Sequence, residues 1–167
     1  MGSARPARRE PKNPKSCHER ALGLLAVRPR SRRELERRLL QAGFEPEEVD
    51  DVLGRLERVG LIDDAAFAQQ MADYQFGSRK AGRRAVTGAL LEKGIAPDVV
   101  AEVLADPAQD EEARAFDLAS SKAMRMGQIE PVKAFNRLTG LLVRRGYGHE
   151  IARNAARRAL SLHAADD

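Results

Sequence analysis

Apolar side chains recur along this chain at spacings of three and four residues, and glycine or proline interrupts them at intervals. Ala21, Leu22 and Leu25 begin the first such stripe, and Pro29 closes it. Leu35, Leu39 and Leu40 form the second, stopped by Gly43, which takes the left-handed conformation a helix end needs. Val49, Val52, Leu53 and Leu56 form the third, with Pro46 suited to its first turn and Gly60 to its end. Ser16-Cys17-His18-Glu19 and Ser31-Arg32-Arg33-Glu34 both fit a capping box, in which hydroxyl and carboxylate accept from backbone N–H groups that lack a helical partner. No segment sustains period-two alternation, so the pattern predicts an all-α protein.

The pattern also repeats. A shift of 51 residues carries Leu35, Leu39, Leu40, Gly43, Phe44, Pro46, Val49 and Leu53 onto Val86, Leu90, Leu91, Gly94, Ile95, Pro97, Val100 and Leu104. Arg32 and Arg33 fall on Arg83 and Arg84, and a further shift of 52 places Leu138, Leu142, Val143, Gly146 and Tyr147 in the same series. Each unit reads as helix, helix, glycine turn, helix. The predicted organisation is a basic flexible tail (1–16), three three-helix repeats (17–62, 63–106 and 107–163) and a short C-terminal tail (164–167). The third unit departs from the others: His149 stands where Pro46 and Pro97 stood, its first helix is expected from about Asp110 to Met126, and its last helix is rich in alanine.

Composition narrows the classes of function. The 167 residues suffice for one domain or a few small units, with 43% hydrophobic and 32% charged residues. No apolar run reaches the roughly 20 residues of a bilayer span, so the expectation is a soluble, cytoplasmic protein. Cys17 is the single cysteine and can form no internal disulfide. Net charge is +4, and the first sixteen residues carry the whole excess, leaving 24 residues of each sign in the body. Within the body the signs are blocked. Arg28 to Arg38 holds six Arg against two Glu, Glu45 to Asp51 holds five carboxylates and no base, and Lys122 to Arg158 holds nine bases against two acids. Such blocks make either an electrostatically patterned binding surface or a series of solvated helix faces.

The residues resemble a known family. The runs Gly60-Leu61-Ile62-Asp63-Asp64-Ala65-Ala66-Phe67-Ala68, Arg79-Lys80-Ala81-Gly82-Arg83-Arg84 and Leu90-Leu91-Glu92-Lys93-Gly94-Ile95 are similar to the middle of the bacterial RecX regulatory proteins. So are Ser31-Arg32-Arg33-Glu34-Leu35 and Leu39-Leu40-Gln41-Ala42-Gly43-Phe44. The likeness spans about residues 17–163, and is weaker in the third repeat. It implies an elongated, curved array of three-helix repeats that lodges in the groove of the RecA filament on DNA. There it would restrain ATP hydrolysis, strand exchange and co-protease activity, and so modulate homologous recombination, DNA repair and the SOS response. It also implies no chemistry of the protein's own and, in some members, direct DNA binding.

The residue pattern supports no catalytic, cofactor or metal site. His18, His149 and His163 are widely separated, and Cys17 has no second thiol nearby. Gly82 to Gly88 lacks the spacing and the Lys-Ser/Thr of a phosphate loop. Asp63-Asp64 is placed to cap a helix rather than to form an acid–base pair. Phe67, Met71 and Tyr74 read as packing residues rather than a base-stacking platform. The candidate partner-binding residues are the cations. Arg79, Lys80, Arg83 and Arg84 crowd a helix start, and Arg32 and Arg33 match them one repeat earlier. Because a helix N-terminus repels positive charge, they suggest an external anion, either acidic side chains of RecA or DNA phosphate. The alternative is a solvated face paired with Glu34 and Glu92. Arg144 and Arg145 are weaker candidates, since a helix C-terminus favours cations. Three functions compete: a monomeric RecA-filament modulator, a DNA-binding protein of helix-turn-helix-like units favoured by pI 9.6, and a helical scaffold for another protein.

Overall fold

The computed structural model describes residues 15–105 and 110–163, and the expectations for residues 1–14 and for 164–167 lie outside them. Nine helices fill the described residues, without a strand: α1 (Cys17–Val27), α2 (Arg32–Gln41), α3 (Pro46–Arg58), α4 (Asp64–Gly77), α5 (Arg83–Glu92), α6 (Pro97–Leu104), α7 (Glu111–Ala123), α8 (Pro131–Arg144) and α9 (His149–His163). They form the three tandem triplets of a helical repeat array.

Local chemistry sets the helix ends. At α1 the capping box is complete: Ser16 Oγ accepts the Glu19 N–H at 3.2 Å and the Ser16 N–H donates to Glu19 Oε2 at 2.8 Å. The 51-residue period returns as geometry. Gly43, Gly94 and Gly146 have φ of +94°, +78° and +91°. After each, the next N–H (Phe44, Ile95, Tyr147) donates back to the carbonyl of Leu39, Leu90 or Leu142 at 3.3, 3.1 and 3.1 Å. Pro46 and Pro97 then occupy the first turns of α3 and α6.

The chain divides into two compact units, one ending at Phe67 and the other starting at Ala68, with α4 beginning in the first and continuing into the second. In the first unit α1, α2 and α3 pack around Cys17, Ala21, Leu35, Leu39, Val49, Leu53 and Leu56. Leu22 and Leu40, expected on the buried stripes, are instead partly exposed, because Cys17 and Ala21 supply the inner face of α1 and Leu35 and Leu39 that of α2. In the second unit α5 packs on α6, and α7, α8 and α9 enclose Leu138, Leu142 and Tyr147. Ala115, Ala119, Ala152 and Ala156 are fully buried between these last helices. Their short side chains allow the helix axes to approach closely.

Helix α4 corrects another expectation. Its inner face is Ala68, Ala72 and Phe76, whereas Phe67 and Met71 are half-buried and Tyr74 is 54% exposed. Apolar residues lie on several sides of this helix, so their spacing selects no face; packing selects the small residues. Phe76 also receives the Arg114 guanidinium at 4.3 Å from its ring centroid, which joins α4 to α7.

Candidate functional site

Arg32 and Arg83 occupy matching positions, and each serves its own repeat. The Arg32 guanidinium reaches Asp50 Oδ1 at 2.7 Å and Glu57 Oε1 at 3.1 Å, both on α3. That of Arg83 donates to the Leu104 carbonyl at 2.5 Å, at the end of α6. Both tie the second helix of a triplet to its third, so an internal partner explains cations that the local dipole disfavours. The backbone completes a second parallel. The Arg32 N–H donates to Asp64 Oδ1 at 2.8 Å and the Arg83 N–H to Glu111 Oε1 at 2.8 Å, each carboxylate belonging to the first residue of the following triplet. Asp63 caps α4 by accepting the Ala66 N–H at 2.9 Å. Asp63-Asp64 is thus one cap and one link between triplets.

Arg33 and Arg84 are different. Both are exposed, and neither side chain makes a hydrogen bond or ion pair among the described residues. Arg84 lies at a junction within the second unit that brings together two candidate groups over sixty residues apart. The Gly82 N–H donates to the Arg145 carbonyl at 2.8 Å and the Arg84 N–H to the Gly146 carbonyl at 3.1 Å. The Tyr147 hydroxyl donates to the Lys80 carbonyl at 3.0 Å, and the Arg145 guanidinium donates to the Arg79 carbonyl. Backbone meets backbone here: a Cβ on Gly82 would lie 2.4 Å from the Gly146 carbonyl. Lys80 holds φ at +53°, a conformation that lysine rarely adopts and that these contacts maintain.

The result is a rim of exposed cations. Arg79, Lys80, Arg84 and Arg145 surround the junction, and Arg79 lies 5.6 Å from the ring centroid of Tyr74, which gives that exposed tyrosine a role. Beneath the rim Tyr147 is buried, and desolvation raises its hydroxyl pKa, so it stays a neutral donor to Lys80. Arg144 points elsewhere, into a cleft between α7 and α8 that also holds Lys122, Arg125 and Arg137. In the sequence these three belong to the basic block from Lys122 to Arg158 without standing out within it, and between Lys122 and Arg144 Glu130 is the only acid.

No group of three or more His, Cys, Asp or Glu able to hold a metal occurs among the described residues. Cys17 is buried in the first unit, and burial, with a smaller contribution from Glu48, pushes its thiol pKa up to about 11, so it remains protonated near neutral pH.

Known proteins share the sequence pattern and the fold of this chain. Residues 17–56 match the family model of the RecX first three-helix domain, and residues 63–104 that of the second. A regulatory protein RecX of Mycobacterium avium (strain 104) is 38% identical over 149 residues, covering 88% of this chain and 86% of the relative. One from Amycolatopsis mediterranei (strain U-32) is 31% identical over 153 residues, with 91% and 87% covered. The crystal structure of RecX from Lactobacillus salivarius superposes with a TM-score of 0.76 over 86% of this chain and 94% of that one, at 18% identity, and so speaks for the fold.

Proposed function

Because the chain belongs to the RecX family of regulatory proteins, we propose that it regulates the RecA recombinase by binding the RecA–DNA filament and restraining ATP hydrolysis, strand exchange and co-protease activity. It acts on recombination, repair and the SOS response as a cytoplasmic monomer, without catalysis of its own. No described helix is long and apolar enough to cross a membrane. Its repeats are bounded at 17–62, 63–106 and 107–163. The observation that carries the site is the cationic rim of Arg79, Lys80, Arg84 and Arg145, held on a backbone junction that fixes its geometry. Within the same unit Arg83 supports this surface through its tie to α6 and Arg144 contributes from the neighbouring cleft, while Arg33, beside an Arg32 tied to α3, is a separate candidate in the first unit. A fixed array of cations suits carboxylates on a protein filament or phosphates beside it.

Titrating the protein into RecA on single-stranded DNA while following ATP hydrolysis tests this reading. Inhibition at well below one regulator per RecA supports filament binding. Relief in proportion to added free DNA would instead favour the second reading, direct DNA binding through helix-turn-helix-like units, which the pI of 9.6 supports. The exposed acids Glu47, Glu48, Asp50 and Asp51 on α3 weigh against a DNA surface covering the whole chain.

A further inference from the structure

The third triplet carries a second charged feature, apart from the rim. Lys122, Arg125, Arg137 and Arg144 line an open cleft of about 610 Å³ between the end of α7 and α8, with no acidic residue in its walls. None of the four side chains makes a hydrogen bond or ion pair among the described residues. In the first unit Arg28, Arg30, Arg32, Arg38 and Arg55 pair with carboxylates, while Arg20, Arg33, Arg37 and Arg58 are exposed. The one acid between Lys122 and Arg144, Glu130, is already used: its carboxylate accepts the Val132 and Lys133 N–H groups at 3.1 and 3.0 Å and caps α8. Four like charges therefore face one cleft without an internal counter-charge, an arrangement that self-repulsion disfavours unless a partner supplies the anions.

The floor says which kind of partner. It is formed by Met126, Leu138 and Leu141, with no aromatic ring in the lining. A second cleft of about 700 Å³ shares Met126 with it and is lined by Met124, Ile129 and Leu160, with Glu130, the α8 cap, in its wall. Nucleic acid gains little from an aliphatic floor, because single strands are held by stacking on aromatic rings. A polypeptide gains from both features. Aliphatic side chains bury on a methionine-rich track that adapts to their shape, and carboxylates meet the four cations. We propose that this cleft is a docking site for an acidic, leucine-type segment of a partner protein, its carboxylates facing Lys122, Arg125, Arg137 and Arg144 and its aliphatic side chains resting on Met126, Leu138 and Leu141. The inference rests on the cleft alone and stands whether or not RecA is the protein's target.

The test uses the full chain and fluorescence anisotropy of a short labelled peptide of alternating Glu-Leu-Leu-Asp. Comparison probes carry Gln and Asn for the acids, or Ser for the leucines, and a short oligothymidylate serves as competitor. The acidic leucine peptide should bind, and both comparison peptides should bind at least about fivefold more weakly. The combined change Lys122→Gln, Arg125→Gln, Arg137→Gln and Arg144→Gln should weaken binding about tenfold or more. Removing the same number of exposed cations elsewhere, by Arg20→Gln, Arg37→Gln, Arg58→Gln and Arg153→Gln, should change it less than twofold. Met126→Glu should weaken binding with all four cations in place, and circular dichroism checks that each variant remains folded. No binding of the acidic leucine peptide, equal loss in both quadruple variants, or displacement by oligothymidylate that depends on the same four cations would overturn the proposal.

Discussion

Two Gly→Ala substitutions six residues apart should change stability in opposite directions. Gly82 has φ −82° and ψ 163°, which alanine adopts freely, so backbone strain plays no part. The obstacle is contact: the added Cβ would lie 2.4 Å from the carbonyl carbon and oxygen of Gly146 and from the Tyr147 nitrogen, all main-chain atoms that cannot swing aside. Normal carbon contacts need about 3.5 Å, so the two segments must part by about 1 Å. That separation stretches the 2.8 Å bond from Gly82 to Arg145, the 3.1 Å bond from Arg84 to Gly146 and the 3.0 Å bond from Tyr147 to Lys80. At about 1 kcal/mol each the loss is about 3 kcal/mol, and about 0.5 kcal/mol returns through the stiffer unfolded chain. Gly88, exposed in the middle of α5, has nothing within 4 Å of its would-be Cβ, so Gly88→Ala should stabilise by about 0.5–1 kcal/mol. Urea denaturation measures both, and hydrogen exchange at the Gly82 and Arg84 amides should accelerate in Gly82→Ala. If Gly82→Ala proves as stable as the parent, with those amides equally protected, the backbone junction does not hold the second unit together.

Glu34 is buried and meets the guanidinium groups of Arg30 at 2.5 Å and Arg38 at 3.5 Å, as well as that of Arg28. Glu34→Ala should cost about 3–5 kcal/mol in urea denaturation, because it strands the buried Arg30; a loss below about 1 kcal/mol would refute a structural role for this cluster. The Cys17 thiol titrates near 11 in the folded protein against 9.0 for an ordinary thiol. The unfolded chain therefore releases its proton first, and stability should be insensitive to this group below about pH 9 and fall by on the order of 2 kcal/mol between pH 9 and 11. A Cys17→Ala variant showing the same decline would assign it to other groups. Changing Arg79, Lys80 and Arg84 together to Gln should preserve the melting temperature while weakening inhibition of RecA ATP hydrolysis and reducing its salt sensitivity. Arg83 is left in place because its guanidinium holds the Leu104 carbonyl. Unchanged inhibition across salt concentrations would mark the rim as a solvated face.

Local signals in the sequence carried much of the fold. Leucine spacing, the Ser16 cap and the recurrence of Gly43, Gly94 and Gly146 each act over one or two helical turns, so their meaning does not depend on what lies across the molecule. The period of 51 residues then distributed that local information into triplets. The inner face of α4 was not legible in this way, because alanine, methionine and aromatic residues lie on several of its sides.

The candidate site divides along the same line. Sequence placed Arg79, Lys80, Arg83 and Arg84 at a helix start and Arg144 and Arg145 at a helix end, and a helix dipole acts alike on an arginine that ties two helices and on one that faces solvent. Tertiary structure made that distinction, sending Arg32 and Arg83 to partners 18 and 21 residues away and leaving Arg33 and Arg84 exposed. It also joined residues 79–84 to residues 145–147 through contacts that span up to 67 positions, and gathered Lys122, Arg125, Arg137 and Arg144 around one cleft. A helix records in its own sequence where it starts, where it stops and which side is apolar. Which charge meets which depends on how helices pack, and packing is settled by shape complementarity between segments that share no local signal.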